Sequence, residues 1–468
     1  MAQNGPEFEA TQPVPTNRRD MSFMDMLVTW IAANANNGTW YLGGVIAAAA
    51  FGGAFLVTMI GNPIAFLVMG LVGYMGYRVG VSTMALTRPS FGVRGSAFPS
   101  ILNATQLIGW AGVNTFIAAI SISYIFHSML GWPVFGSPGG DRGVIIGIVI
   151  MTILHFISIM TGHKSVKIVE RIGVVLILGL GIWETVVVLH SYPLHQIMAW
   201  HPKPSGSLPI GVAIDSMAAF SLGWVPAIAE FTRYSGNKAT SSGAPIIGAF
   251  ISLFWFVFVG VIGTIGVALK TGSFSPNNSD PSVIVSKLGL GIVALLVIVI
   301  TATTANAINI MGGGMSVVNI TKRAKPIPTL LTVTAIAGVV SAIPIVMGSF
   351  VNAFIGFLGY VGMIFGPILA LMIVDFFIIR KGQYHPEQLE KLSGHYWYYR
   401  GFNLIAFGVW VAGVIIDLVL RTIPAVANTT GVIYPTIVCS ALLYWVVMHK
   451  VLQSVPTTTQ RDEQVVVQ

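Results

Sequence analysis

Apolar stretches of membrane length recur twelve times along the chain, near residues 24–48, 53–77, 98–127, 142–161, 167–190, 209–229, 245–269, 287–313, 328–347, 350–379, 401–420 and 431–449. A bilayer core takes about 20 apolar residues of helix to cross, and it holds no water for backbone left outside a helix or closed barrel. Hydrophobic residues make up 54% of the 468 and charged residues only 9%. No water-soluble domain carries that balance, so the expected fold class is an all-α polytopic membrane protein. Fifty-two glycines and 24 prolines suit closely packed, interrupted helices.

Charge gives the direction. With the N-terminus inside, the 24 Lys and Arg all fall on the cytoplasmic side except Arg142, Lys203, Lys270, Lys287 and Arg421. That bias predicts an even span count and two cytoplasmic termini in the cell's inner (plasma) membrane. The formal charge of +8 is scattered over short loops, so topology explains it better than nucleic acid does. Residues 1–23 read as a cytoplasmic tail, since no apolar core follows a basic tip. Cys439 is the single cysteine, which excludes an internal disulfide framework. The loop 381–400, with Tyr396, Trp397, Tyr398 and Tyr399, reads as an amphipathic segment lying on the interface.

Span one is interrupted at its centre by Asn34, Asn36, Asn37 and Gly38. Amides at that depth persist mainly where they line a cavity or a ligand site. Span six has its own interruption, Ser221-Leu222-Gly223-Trp224-Val225-Pro226. The two spans lie five apart and so run in opposite directions, and paired breaks of this kind point to the site of a secondary transporter. The expected organisation is a first five-helix repeat over 24–190, a second and inverted one over 209–379, helices eleven and twelve over 401–449, and a tail over 450–468.

Span three sets Asn103, Gln106, Trp110 and Asn114 on one helix face. Asn103 and Gln106 suit an interhelical hydrogen-bond seam, whereas a midplane Trp110 offers a stacking surface beside Asn114. Span eight places Thr303 and Thr304 at its centre, followed by Asn306 and Asn309. Mid-span threonines commonly bond back to their own helix, yet an adjacent pair opposite a broken helix suits Na+, which wants oxygen ligands. Of the intramembrane acids, Asp375 with Arg380 and Glu230 with Arg233 read as structural pairs, and Asp417 as interfacial beside Arg421. Glu184 and Asp215 are candidate proton carriers. No HExxH, CxxC or Walker A motif occurs, so the chain reads as a transporter rather than an enzyme or an ATP-driven pump, and the nine histidines are dispersed.

Several segments, in order, resemble the nucleobase–cation symport-1 family, with its cytosine and hydantoin permeases. They are Arg88-Pro-Ser-Phe-Gly-Val-Arg94-Gly-Ser with Gly109-Trp110, Ala229-Glu230-Phe-Thr-Arg233-Tyr234, Gly359 to Pro367 running on to Asp375 and Tyr384, and Tyr399-Arg400-Gly401-Phe402-Asn403. The resemblance implies a LeuT-type 5+5 inverted repeat with broken helices one and six, plus two appended helices, twelve in all. It implies a planar ring held between Trp110 and Trp224, with Asn114, Gly223 and Asn309 around it. Asn306, Asn37 and Ser221 join that substrate set. It also implies Na+ at Ala33, Asn36, Ile300, Thr303 and Thr304. Ala305 departs from the family, which often has an amide there, so the contacts to the ring are expected to be rearranged.

The expected function is import of a nucleobase or related ring (cytosine, a purine, uracil or a hydantoin-like compound) by Na+ symport. Rival readings on the same scaffold are proton coupling through Glu184 or Asp215, and an amino-acid or amine symporter. The partners expected are the small heterocycle and the bilayer, with no nucleic acid.

Overall fold

A computed structural model describes residues 11–161, 163–321 and 324–454. The regular structure in these residues is helical apart from two isolated bridges, Met21 with Ser235 and Tyr399 with Phe402. The expected tail 1–23 is described only from residue 11, and the tail 450–468 only to residue 454.

Span one is two helices, Phe23–Asn34 and Asn37–Ile46. The first begins with a reciprocal capping box between Ser22 and Asp25. A tight turn over Ala47–Ala49, closed by Ala50 at a φ of 61°, leads into span two, Ala50–Val79. Span three is Ala97–Leu130, span four Asp141–Thr161 and span five His163–Ser191. Span six comprises Ile210–Leu222, a 3-10 turn Val225–Ala227 and the short helix Ala229–Thr232. Span seven is Ala244–Thr271, span eight Gly291–Ile320 and span nine Pro326–Val340. Span ten is Phe350–Ile373, extended by a π-helical turn Val374–Ile379, span eleven Leu404–Arg421 and span twelve Ile433–Ser454. Among the described residues, 11 segments are long and apolar enough to cross a membrane, one of them joining Asn37–Ile46 to span two. Counting broken span one separately from span two gives the twelve crossings.

Both predicted breaks are present. In span one, Asn34 donates Nδ2 to the Trp30 carbonyl (3.1 Å) and so closes the first half. Asn36, in extended backbone, caps the second half by accepting from the Thr39 N–H (3.0 Å). In span six the freed carbonyls are taken up by span three: Gln106 Nε2 donates to Gly223 (2.9 Å) and Asn103 Nδ2 to Pro226 (3.3 Å). The seam expected of Asn103 and Gln106 thus holds the break itself. Without such donors, buried carbonyls would cost about 1–3 kcal/mol each.

Span three packs along span eight more extensively than any other described pair of elements. Lipid-facing stripes run on the outer helices; on span four Ile145, Val149, Ile153 and Ile157 are exposed while Val144, Ile148 and Met151 are buried.

Two expectations need correction. Span eight begins at Gly291, not 287, because Pro281–Leu288 forms a separate short helix ended by Gly289 at a φ of 81°. The loop 381–400, read as an amphipathic segment lying on the interface, instead packs part of its aromatic and apolar side chains into the protein. Its one regular element is the turn Pro386–Gln388, and Tyr396 and Leu389 are fully buried. Tyr398 there accepts from Arg380 and donates to the Pro89 carbonyl, both at 2.6 Å, while Arg380 pairs with Asp375 at 3.1 Å. Asp417, one turn from the end of span eleven, is buried 2.5 Å from Arg421 Nε.

Candidate functional site

The two breaks and the polar face of span three meet around Gly38. A Cβ at Gly38 would lie 3.1 Å from Asn36 Oδ1, 3.7 Å from Asn114 Oδ1 and 3.7 Å from the Phe220 ring. The gap beside the Gly38 hydrogen is thus a niche about one carbon wide between spans one, three and six. Asn114 is buried, and its Oδ1 has no hydrogen-bond partner within the protein.

Trp110 stands on the other side of Phe220. Its indole is edge-on to Phe220 at 5.0 Å and to Phe357 at 4.9 Å between ring centroids. Trp110 Nε1 lies 3.1 Å from where a Cβ of Gly223 would be, so the indole abuts the span-six break. Trp224, the next residue, turns its ring edge-on to Trp30 of span one at 5.9 Å. Both tryptophans are half-buried. Edge-to-face packing of this kind fixes the orientation of both rings.

Span eight brings two more amides. Asn306 Nδ2 donates to the Ala111 carbonyl (2.9 Å) and to Thr115 Oγ1 (3.1 Å). A carbonyl only accepts, so Ala111 fixes which end of the Asn306 amide faces span three. Asn306 Oδ1 then accepts from Asn114 Nδ2 (3.2 Å) and from Asn309 Nδ2 (3.5 Å). With its nitrogen held there, Asn114 turns its buried, unpartnered oxygen toward the niche, where a hydrogen-bond donor would satisfy it.

Two other candidates are engaged elsewhere. Ser221 is buried and donates to Asn62 Oδ1 of span two (2.7 Å). Asn37 donates across to span eight, to the Ile298 carbonyl (3.0 Å) and Thr301 Oγ1 (3.1 Å).

Around the candidate ion site, the Ala33 carbonyl accepts from Asn36 Nδ2 (2.7 Å), which holds it in place and leaves its second lone pair. Thr303 donates to Val299 (3.1 Å) and Thr304 to Thr301 (2.8 Å), each within span eight. A hydroxyl whose proton is so engaged turns only lone pairs outward. Thr304 borders Gly173 of span five, while the Ile300 side chain is exposed, leaving its carbonyl as the group to contribute.

Of the rival proton carriers, Asp215 accepts from the Val432 and Ile433 N–H groups (2.9 and 3.0 Å) and so caps span twelve. Glu184 is fully buried against Gly263 of span seven, and neither carboxyl oxygen has a partner.

Phe220, Phe357, Gly38, Thr115, His155 and the Ala111 carbonyl were not predicted from the sequence as part of this site. Gly38 and Phe220 adjoin the two breaks, which was a usable signal. Aromatics and backbone carbonyls elsewhere in apolar spans carry none.

The chain is matched over residues 13–447 by the model of a family described as permeases for cytosine/purines, uracil, thiamine and allantoin. Its relatives include the allantoin permease of Bacillus subtilis, 23% identical over 94% of this chain and 92% of that one. They also include the cytosine permease of Escherichia coli K12, 24% identical over 86% and 89%. The fold matches that of Mhp1, described as a nucleobase-cation-symport-1 family transporter in a closed conformation with bromovinylhydantoin bound. The TM-score is 0.74 at 18% identity, over 96% of both chains. An inward-facing conformation of Mhp1 gives 0.77. The protein is thus a multi-pass membrane transporter, not an enzyme, with the LeuT-type inverted-repeat fold, and it belongs to the nucleobase–cation symport-1 family of cytosine, purine, uracil and allantoin permeases.

Proposed function

We propose that the protein imports a nucleobase or related planar heterocycle across the plasma membrane by Na+ symport, with both termini cytoplasmic. The observation that carries this reading is the unpartnered Asn114 oxygen in the Gly38 niche, beside Phe220, Trp110 and the Gly223 break. A ring stacked on Trp110 and bounded by Trp224 offers an N–H to Asn114, while Asn309 meets another edge. Ring shape and hydrogen-bond pattern together select the substrate. The relatives named for allantoin, cytosine and hydantoin support this class, since each of those compounds carries ring N–H groups. Neutral oxygens of Ala33, Asn36, Ile300, Thr303 and Thr304 hold Na+, and the ion favours the substrate-competent state by linkage.

The test is ligand-induced thermal stabilisation and uptake with cytosine, uracil, allantoin and hydantoin, in Na+ and in choline. At least one ring should raise the melting temperature of the wild type, and more so in Na+. Trp110→Ala should lose that shift and Thr304→Ala its Na+ dependence. Unaltered ring binding in Trp110→Ala would refute the stacking site, and an unaltered Na+ response in Thr304→Ala would remove the ion site.

Proton coupling is the second reading, and the unpartnered Glu184 carboxyl favours it over Asp215, whose oxygens cap a helix. Uptake that persists without Na+ and collapses with a protonophore selects it.

A further inference from the structure

His155 lies on the buried stripe of span four, 4% exposed, with Nε2 3.3 Å from the Asn306 amide nitrogen. A single histidine on an apolar face ordinarily only fills space. This one stands directly behind the amides of the candidate substrate site. Asn306 Nδ2 has no lone pair to offer and two hydrogens for three neighbours, the Ala111 carbonyl (2.9 Å), Thr115 Oγ1 (3.1 Å) and His155 Nε2 (3.3 Å), so one hydrogen is shared and the ring nitrogen meets it as an acceptor. His155 is therefore neutral, with its proton on Nδ1. Protonation would set an Nε2–H against an N–H. The amide has no alternative orientation, because its oxygen would then confront the Ala111 carbonyl, now 2.9 Å from the nitrogen.

We propose that His155 is a positioning residue for substrate recognition: as a neutral acceptor it holds Asn306, and through it Asn114, in the orientation that presents the Asn114 oxygen to a donating N–H of the ring. The chain of contacts is His155 Nε2 to Asn306 Nδ2, then Asn306 Oδ1 to Asn114 Nδ2, then Asn114 Oδ1 to the niche. This rests on the heterocycle reading of the site.

Among the residues whose side chains are described, none places an ionised group against the imidazole; His163, Lys164, Lys167, Glu170 and Arg171 of span five lie outside them. Spans eight and nine, Gly291–Ile320 and Pro326–Val340, contain no titratable side chain. On span three the facing groups are Thr115 and the Ala111 carbonyl, and Tyr124 and His127 lie roughly two and a half turns or more beyond Thr115. On span five Glu184 packs against Gly263, and on span four itself Asp141 and Arg142 sit at the far end of the helix.

The test compares wild type, His155→Leu and His155→Gln in uptake and thermal shift. The probes are hydantoin, uracil, cytosine and allantoin, each beside its N-methyl derivative. Loss of one buried hydrogen bond in His155→Leu should raise KM about three- to tenfold with maximal rate nearly kept. The same variant should discriminate less well against the N-methyl ring. His155→Gln supplies an amide oxygen that accepts from Asn306, so it should restore both. Wild-type KM should rise on acidification, and that of His155→Gln should not. Unchanged KM and discrimination in His155→Leu, or an acid response retained in His155→Gln, overturns the proposal. If none of the rings binds wild type, the heterocycle reading falls and this proposal with it. If they bind wild type and His155→Leu alike, only the proposal falls.

Discussion

Among individual residues, the three amides of span one divide their work. Asn34 closes one half-helix, Asn36 opens the next while steadying the Ala33 carbonyl, and Asn37 ties span one to span eight. All three amide nitrogens thus serve the backbone or span eight; of the amide oxygens left without a partner, which include those of Asn34 and Gln106, that of Asn114 lies beside Gly38 and is the acceptor proposed for the ring. Two substitutions separate recognition from support. Asn114→Ala removes that acceptor and should raise KM at least about tenfold, consistent with a buried hydrogen bond left unmade. Ser221→Ala breaks the bond to Asn62 and should lower stability by about 1 kcal/mol while leaving KM unchanged, since its hydroxyl faces span two. Uptake kinetics and thermal unfolding of both variants check the contrast, and a KM defect in Ser221→Ala would return that hydroxyl to the ring. Polar residues such as Asn114 and Asn306 were legible in the sequence because hydrocarbon makes every amide conspicuous. His155 was not, since only the fold shows that one dispersed histidine backs Asn306.

At the level of elements, span one caps its break with its own Asn34 and Asn36, whereas a break without such amides needs a neighbouring span to supply the missing partners. Span three does this for span six: Gln106 and Asn103 reach the Gly223 and Pro226 carbonyls, and Asn103 also bonds to Ser316 of span eight (2.8 Å). Gln106→Leu keeps the side chain's bulk but leaves the Gly223 carbonyl unpaired. It should cost about 1–3 kcal/mol of stability and slow transport, with the preference among rings retained. The checks are the melting temperature and competition between cytosine, uracil and hydantoin; a changed ring preference at unchanged stability would make Gln106 a contact rather than a clamp. The breaks themselves were legible as glycine, proline and amide interruptions of apolar runs. The start of span eight was not. The apolar run continues from Pro281–Leu288 into Gly291–Ile320, and the chain reverses between them at Gly289 and Gly291 (φ 81° and 75°), which hydropathy does not register. Nor was the packing of loop 381–400, whose aromatics suit a lipid interface and a protein interior equally well by composition.

Over the whole molecule, bilayer thickness made twelve crossings and two inverted halves legible, because it sets one length for every span. The buried connections outside those spans had no such ruler, and the helix Pro281–Leu288 is one of them. Its N-cap, Asp280, accepts from the Ser282 N–H (2.8 Å) through Oδ1, while Oδ2 is buried without a partner. Burial pushes its carboxyl from an ordinary 3.8 to about 7, against the lowering effect of hydrogen bonds from Ser282 and the Val283 N–H. Between those two values the folded protein holds a proton that the unfolded chain has released. Stability must therefore fall as pH rises through that window and level off above it. Asp280→Asn keeps a good N-cap and has nothing to ionise. The apparent melting temperature of the wild type in detergent should decline from about pH 4 to about pH 7. That of Asp280→Asn should decline less and exceed the wild type's at neutral pH. Equal slopes for the two proteins would mean that the Asp280 carboxylate reaches water when it ionises, and that the helix Pro281–Leu288 opens to let it.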